Sequence, residues 1–219
     1  MVRRIRYKRL FLFLLIIFVL GLILFKFLTL KITNIYVDGN IYFSDQEVIE
    51  LAKLSNYPSA FFTFSKRVEY NIEKDELIEK AEVDKKGFTK IYIYVVENKP
   101  IFYDQVNNKT VLKNGSSVDK KYNVPSLSNV VSTDIYSEFL SQFSKINYDV
   151  FNNISEIEYA PNSVDSKLFL FTMNDGNYIY VNLDRFESVN KYFDMIVNFN
   201  NHKGILYLDS GEYFKILEN

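Results

Sequence analysis

The chain has 219 residues, 48% hydrophobic, 17% aromatic and 24% charged, with one histidine and no cysteine. That apolar content excludes a disordered chain, and the missing thiols exclude a disulfide scaffold, a thiolate metal site and a cysteine nucleophile. The net charge of −1 hides an asymmetry: six of the 26 basic residues and none of the 27 acidic ones fall in the first thirty positions, so the rest is acidic and unsuited to electrostatic capture of nucleic acid.

The first feature in the chain is a membrane anchor. Residues 1–9 carry Arg3, Arg4, Arg6, Lys8 and Arg9, and from Leu10 to Phe25 every residue except Gly21 is Leu, Ile, Val or Phe. With the Lys26 amine snorkelling outward, the apolar stretch covers residues 10–30, roughly 30 Å at ~1.5 Å per residue, the thickness of a bilayer core. It is apolar on every face and no small-residue cleavage pattern follows it, which predicts a retained transmembrane helix rather than a cleaved signal. The basic residues before it orient the N-terminus to the cytoplasm. Everything from Lys31 onward is then extracytoplasmic.

The outer part opens with a strand at Ile32–Val37 and a turn at Asp38-Gly39-Asn40. Ser44 and Glu47 have the S-x-x-E spacing of a capping box, and Val48, Leu51 and Leu54 follow at helical spacing. A second helix is predicted from Ser65, with Val68 and Ile72 on one face. Strands follow at Ile78–Asp84, where Ala81 and Val83 alternate but Ile78 does not, and at Ile91–Val96 beyond a Lys86-Gly87 turn. The order is β-α-α-β-β over residues 31–98, with Pro100 marking a boundary.

Residues 99–219 read differently. Strands are predicted at Ile101–Gln105 and Thr110–Lys113, with Asn114-Gly115 as a hairpin signal. Ile135, Phe139, Leu140, Phe143 and Ile146 make a helical stripe after a Ser132 or Thr133 cap. Ile154–Tyr159, Leu168–Met173 and Tyr178–Leu183 are strands, and Phe186, Val189, Phe193, Ile196 and Val197 make a second helical stripe. Ile205–Leu208 and Tyr213–Leu217 close the chain around Asp209-Ser210-Gly211. The fold class is α+β: a transmembrane helix, a β-α-α-β-β domain, then a β-rich domain with a mostly antiparallel sheet and two helices.

Catalytic signals are thin. Ser117 and Lys120 form an S-x-x-K pair of the kind that activates a serine nucleophile, but the accompanying S-D-N and K-T-G elements are absent. Glu156 and Glu158 share one strand face without an acid–base partner, and read as a solvent-facing strand edge. His202 reads as an exposed turn residue. No phosphate-cradling or calcium loop is present, and no cofactor or metal is expected. The remaining signal is a binding one: the final strand, Tyr213-Phe214-Lys215-Ile216-Leu217, offers free backbone groups to a partner strand if it lies at a sheet edge.

The order of these elements resembles the FtsQ/DivIB family of bacterial cell-division proteins, whose first outer domain is a POTRA module. Ile35-Tyr36-Val37-Asp38-Gly39-Asn40 with Ser44 and Glu47 resembles the family's I-x-V-x-G-N…S-x-x-E opening. Val95-Val96-Glu97-Asn98-Lys99-Pro100 resembles its V-V-E-x-x-P exit, Val124-Pro125-Ser126-Leu127 its L-P-x-L stretch, and Leu206-Tyr207-Leu208-Asp209 its late I-D-L strand. The resemblance implies a non-enzymatic component of the division septum that binds FtsL-like and FtsB/DivIC-like bitopic proteins and with them regulates the septal peptidoglycan synthase complex. By position it implies a partner site at Tyr207, Ser210, Gly211, Tyr213, Phe214, Lys215 and Ile216, and a recruitment role for Gly39, Asn40, Ser44 and Glu47. Two rival readings are a POTRA-type module in protein export or envelope assembly, and a cell-wall enzyme using Ser117 and Lys120.

Overall fold

In the computed structural model, which describes residues 7–199 and 202–217, the apolar N-terminal stretch is one helix, α1 (Tyr7–Leu28). Its 22 residues span about 33 Å at a rise of ~1.5 Å, and none of its side chains is buried within the chain. Lys8 and Arg9 lie in its first turn, whereas Arg3, Arg4 and Arg6 fall outside the described residues. Thr29 closes the helix, its hydroxyl donating to the Phe25 carbonyl at 2.8 Å.

The chain divides after Glu97 into two units. The first continues with β1 (Asn34–Asp38), α2 (Asp45–Leu51), α3 (Ser65–Ile72), β2 (Ile78–Lys86) and β3 (Lys90–Glu97). Its sheet runs β1-β3-β2, with β1 parallel and β2 antiparallel to β3. The Ser44 side chain accepts from the Glu47 amide while the Glu47 carboxylate accepts from the Ser44 amide at 2.7 Å, so the predicted capping box starts α2. Val48 of α2 and Val68 and Ile72 of α3 pack on Ala81, Val83, Ile91, Ile93 and Val95 of the sheet. The alternation failure at Ile78 has a cause: the β2–β3 register shifts between Ile78 and Lys80, and the irregularity turns Ile78 inward along with Ala81 and Val83.

The second unit holds β4 (Pro100–Asp104), β5 (Lys109–Leu112), β6 (Ser117–Val118), β7 (Ser126–Leu127), α4 (Tyr136–Phe143), α5 (Tyr148–Asn153), β8 (Ile154–Tyr159), β9 (Leu168–Met173), β10 (Tyr178–Asn182), a 3-10 helix (Leu183–Lys191), α6 (Tyr192–Val197), β11 (Gly204–Tyr207) and β12 (Tyr213–Ile216). Among the described residues its strands form one sheet in the order β12-β11-β10-β9-β8-β7-β4-β5-β6. Pairing is antiparallel except for β10–β11, β7–β8 and β4–β7. The first helical stripe is α4, with Ile146 in the bend after it, and the second is divided between the 3-10 helix and α6; α5 is a further short helix beyond the two expected in this domain. Ser132 and Thr133 do not cap α4. Its N-cap is Ile135 with no side-chain cap bond, because the Ser132 hydroxyl is taken by the Asp134 carboxylate.

The phenylalanines account for the core of this unit. Phe139 of α4 lies 4.9 Å from Phe169, 5.4 Å from Phe102 and 5.6 Å from Phe143, centroid to centroid. All four are fully buried, so helix and sheet meet through stacked and tilted rings whose geometry adds to the plain burial of area. The Val124–Leu127 stretch ends in β7, a two-residue strand that pairs parallel to β4 and to β8 and so joins the two halves of the sheet.

Candidate functional site

The residues expected to bind a partner come together in the β11–β12 hairpin. Tyr207 ends β11, Ser210 and Gly211 lie in the connection, and Tyr213, Phe214, Lys215 and Ile216 make β12. Gly204 pairs with Ile216, Leu206 with Phe214 and Tyr207 with Tyr213. Beyond the strand, Leu217 donates its amide to the Lys203 carbonyl at 3.0 Å. Because inward and outward backbone groups alternate along an antiparallel strand, that bond sets the phase: the amides and carbonyls of Tyr213 and Lys215 turn toward β11, and those of Phe214 and Ile216 turn away. Among the described residues no strand pairs with that outer side.

The side chains divide between two faces. Phe214 turns to the core and stacks on Phe199 at 4.5 Å. On the opposite face Tyr180, Tyr207 and Tyr213 form a ladder across three strands, with ring centroids 5.5 and 4.5 Å apart and rings nearly parallel. Tyr213, at the outer end of the ladder, is 53% exposed, and Ile216 and Leu217 are also exposed. Partial desolvation, reinforced by Tyr207 and Asp209, raises the Tyr213 phenol above its ordinary range. The opposite edge of the sheet, β6, is two residues long and runs into Asp119, Lys120 and Lys121, a blunt and charged border.

Two devices fix the hairpin, and sequence reasoning found neither. A Cβ on Gly204 would stand 2.4 Å from the Lys215 carbonyl oxygen and 2.4 Å from the Phe214 ring, so only glycine lets β12 approach this closely. Behind it lies a buried polar chain. The Tyr192 hydroxyl donates to Asp175 Oδ2 at 2.7 Å and accepts from Asn177 Nδ2 at 2.8 Å, while Asn177 Oδ1 accepts the Gly204 amide at 2.9 Å. This chain ties the β9–β10 turn and the start of α6 to the first residue of β11. The turn signal Asn174-Asp175-Gly176 was visible in the sequence; the partners of Asp175 and Asn177 were not, because they lie 15 to 27 residues away.

The expected recruitment residues all have work inside the first unit. Gly39 has φ +87°, and a Cβ there would meet the Val95 carbonyl oxygen at 2.2 Å. The Asn40 side chain donates to the Phe43 carbonyl at 2.8 Å and to Asp45 at 3.0 Å, and Ser44 and Glu47 are the capping box. Sequence reasoning missed their neighbour Glu97, whose carboxylate accepts the backbone amides of Ile41, Tyr42 and Phe43 at 2.8, 2.6 and 3.0 Å. The glutamate of the V-V-E-x-x-P stretch therefore clasps the loop that carries Gly39 and Asn40.

The other candidates stay apart. Ser117 lies in β6 and Lys120 in the bend after it, its amine 5.5 Å from the centre of the Tyr122 ring. Glu156 and Glu158 share the solvent face of β8, which is an interior strand of the sheet and not an edge. His202 is exposed. Among the described residues no cluster of three or more His, Cys, Asp or Glu could hold a metal ion.

An apolar N-terminal helix long enough to span a membrane precedes a β-α-α-β-β unit of POTRA type, and comparison with known proteins agrees on that unit: residues 30–98 match the family described as POTRA domain, FtsQ-type. Over 221 residues the chain is 28% identical to the cell division protein DivIB of Bacillus subtilis, spanning 95% of this chain and 83% of that one. It is 27% identical over 195 residues to DivIB of Listeria monocytogenes, spanning 84% and 72%. Among solved structures, the major extracytoplasmic domain of DivIB from Geobacillus stearothermophilus matches 46% of this chain and 92% of that one, with 21% identity and a TM-score of 0.39. Residues 30–98 thus form an FtsQ-type POTRA domain in a chain similar to DivIB proteins over most of its length, and this kinship supports a role in cell division. Helix α1 and this kinship fit a single-pass membrane protein.

Proposed function

We propose that the protein is a non-enzymatic scaffold of the division septum. In this reading it binds FtsB/DivIC-like and FtsL-like bitopic proteins at the open edge of β12, and through them regulates the septal peptidoglycan synthase complex. The observation that carries the reading is the geometry of that edge: four residues without proline, outward backbone groups at Phe214 and Ile216, and exposed apolar side chains at Tyr213, Ile216 and Leu217. A partner segment in extended form would pair with the outward groups and lay its own apolar residues beside these side chains. The POTRA unit is the proposed recruitment element, with Gly39, Asn40, Ser44 and Glu47 shaping its surface.

The test uses proline as a backbone probe, since it deletes one amide and is tolerated at sheet edges. Ile216→Pro removes an outward amide and leaves the β11 ladder intact; Lys215→Pro removes an inward one and breaks the hairpin itself. The expected result for Ile216→Pro is a folded chain that no longer recovers FtsB/DivIC-like protein from solubilised membranes. Unchanged recovery by a folded Ile216→Pro chain would overturn the assignment. Depletion is expected to leave long undivided cells, and normal division after complete loss would overturn the scaffold reading as a whole.

A further inference from the structure

The first unit carries a second exposed apolar surface, at the end where α1 leaves off. Phe61, Phe62, Phe64 and Phe88 are exposed by 41%, 58%, 61% and 56%, and none belongs to the hydrophobic core of the unit. They come from two separate segments, the loop before α3 and the turn between β2 and β3. Phe27, in the last turn of α1, joins them, with ring centroids 5.5 Å from Phe61 and 4.9 Å from Phe88.

Hydrogen bonds hold the loop against the exit of the helix. The Ser59 hydroxyl donates to the Leu28 carbonyl at 2.6 Å, the Ala60 amide to the Leu30 carbonyl at 2.7 Å, and the Ile32 amide to the Pro58 carbonyl at 3.0 Å. The Lys85 amine, just before the Phe88 turn, donates to the carbonyls of Ala60 and Thr63 and so binds the two aromatic segments to each other. The surface is a fixed collar, continuous with the span.

Charge distinguishes this end from the other. Residues 51–68 and 85–90, which supply the collar, contain no acid and carry Lys53, Arg67, Lys86 and Lys90, besides Lys66, which is paired with Glu69 at 2.7 Å, and Lys85, which serves the loop carbonyls; the stretch 26–33 adds Lys26 and Lys31 without an acid. A shallow groove of about 180 Å³ opens here between Lys53, Phe62, Phe64 and Arg67. Asp38, Asp45, Glu47 and Glu97 lie at the opposite end of the sheet, where β1 and β3 finish. Aromatic rings with cations beside them are the chemistry of the bilayer headgroup region, where rings sit at the polar–apolar boundary and amines meet lipid phosphates.

We propose that this collar lies in the outer headgroup layer of the membrane, so that the POTRA unit rests on the lipid surface through Phe61, Phe62, Phe64 and Phe88 instead of hanging from a free tether. The occupant is phospholipid, with anionic headgroups favoured by the surrounding cations. The chain contains no tryptophan, so a single Trp reports its position without background. Full-length protein carrying Phe62→Trp, Phe88→Trp or, as the distal control, Ile41→Trp (81% exposed) is reconstituted in vesicles of phosphatidylcholine and phosphatidylglycerol. Emission is then quenched either by lipids brominated near the headgroup or by aqueous iodide. The expected result is loss of Phe62→Trp and Phe88→Trp emission to brominated lipid and of Ile41→Trp emission to iodide. Two outcomes would overturn the proposal: iodide quenching of all three alike, which puts the collar in water, or protection of the collar positions from both quenchers, which makes the occupant protein.

Discussion

The buried chain behind the hairpin makes a quantitative prediction. Tyr192→Phe keeps the ring in a fully buried site and removes only the hydroxyl that donates to Asp175 and accepts from Asn177. The bond to a carboxylate contributes about 1.5–3 kcal/mol, and leaving the Asn177 amide nitrogen unpaired costs a similar about 1–3 kcal/mol. These overlap, since one relaxation serves both, and we expect a net loss of about 2 kcal/mol. Asn177 also holds the Gly204 amide, so the loss is local: amide exchange over residues 204–217 should quicken by about thirtyfold. The variant also carries a pH signature. Burial, then the bond to Asp175, raises the Tyr192 phenol above its ordinary 10.0. The folded chain therefore holds this proton more tightly than the unfolded one, giving stability that is complete below pH 10 and lost as pH rises beyond it. The stability gap between native protein and variant should narrow above pH 10. Wild-type exchange in residues 204–217, or a gap that stays constant into alkaline solution, would refute the role given to this chain.

Three further substitutions probe the two units separately. Gly204→Ala forces a methyl group against the Lys215 carbonyl and the Phe214 ring; it should cost about 1–3 kcal/mol and release β12 from protection against amide exchange, with the POTRA unit unchanged. Gly39→Ala adds a Cβ at 2.2 Å from the Val95 carbonyl oxygen on a residue with positive φ, so its cost should far exceed the ~1–2 kcal/mol of the backbone conformation alone, read as loss of the POTRA melting transition in calorimetry. Glu97→Gln leaves three backbone amides with a neutral acceptor that cannot serve them all, and should lower POTRA stability by about 1–3 kcal/mol in thermal unfolding.

Elements whose signal is local were legible. The boundaries of β8 and β9 match the strands predicted at Ile154–Tyr159 and Leu168–Met173, and Ser44 and Glu47 start a helix where a capping box requires one. Features set by distant partners were not. β7 has two residues and exists only because β4 and β8 both pair with it. The second helical stripe is first a 3-10 helix, which opens where Asn182 accepts the Asp184 amide, and the parallel pairing of β10 with β11 depends on that crossover. The same divide runs through the candidate site. The apolar and aromatic run at the chain end marked a final strand, but its place at the sheet edge, the close approach at Gly204 and the Tyr192 hydroxyl's two bonds depend on which elements meet in space.

The alternation of backbone groups along β12 separates strand addition from simple docking of side chains. In the free protein the Tyr213 and Lys215 amides point to β11, as Leu217 does through its bond to Lys203, and should already exchange slowly. The Phe214 and Ile216 amides face outward and should exchange quickly, despite the partial burial of the Phe214 ring. A partner strand adds a second ladder on the outer side, so its binding should slow Phe214 and Ile216 selectively. A partner that merely covered Tyr213, Ile216 and Leu217 would change all these amides modestly and without alternation. The pattern, read residue by residue by NMR, would also expose the link between binding and folding: β12 is supported on one side only, and whatever binds its folded form stabilises it by mass action. Protection rising evenly along the strand, or rising at Tyr213 and Lys215 instead, would remove the edge as the point of contact.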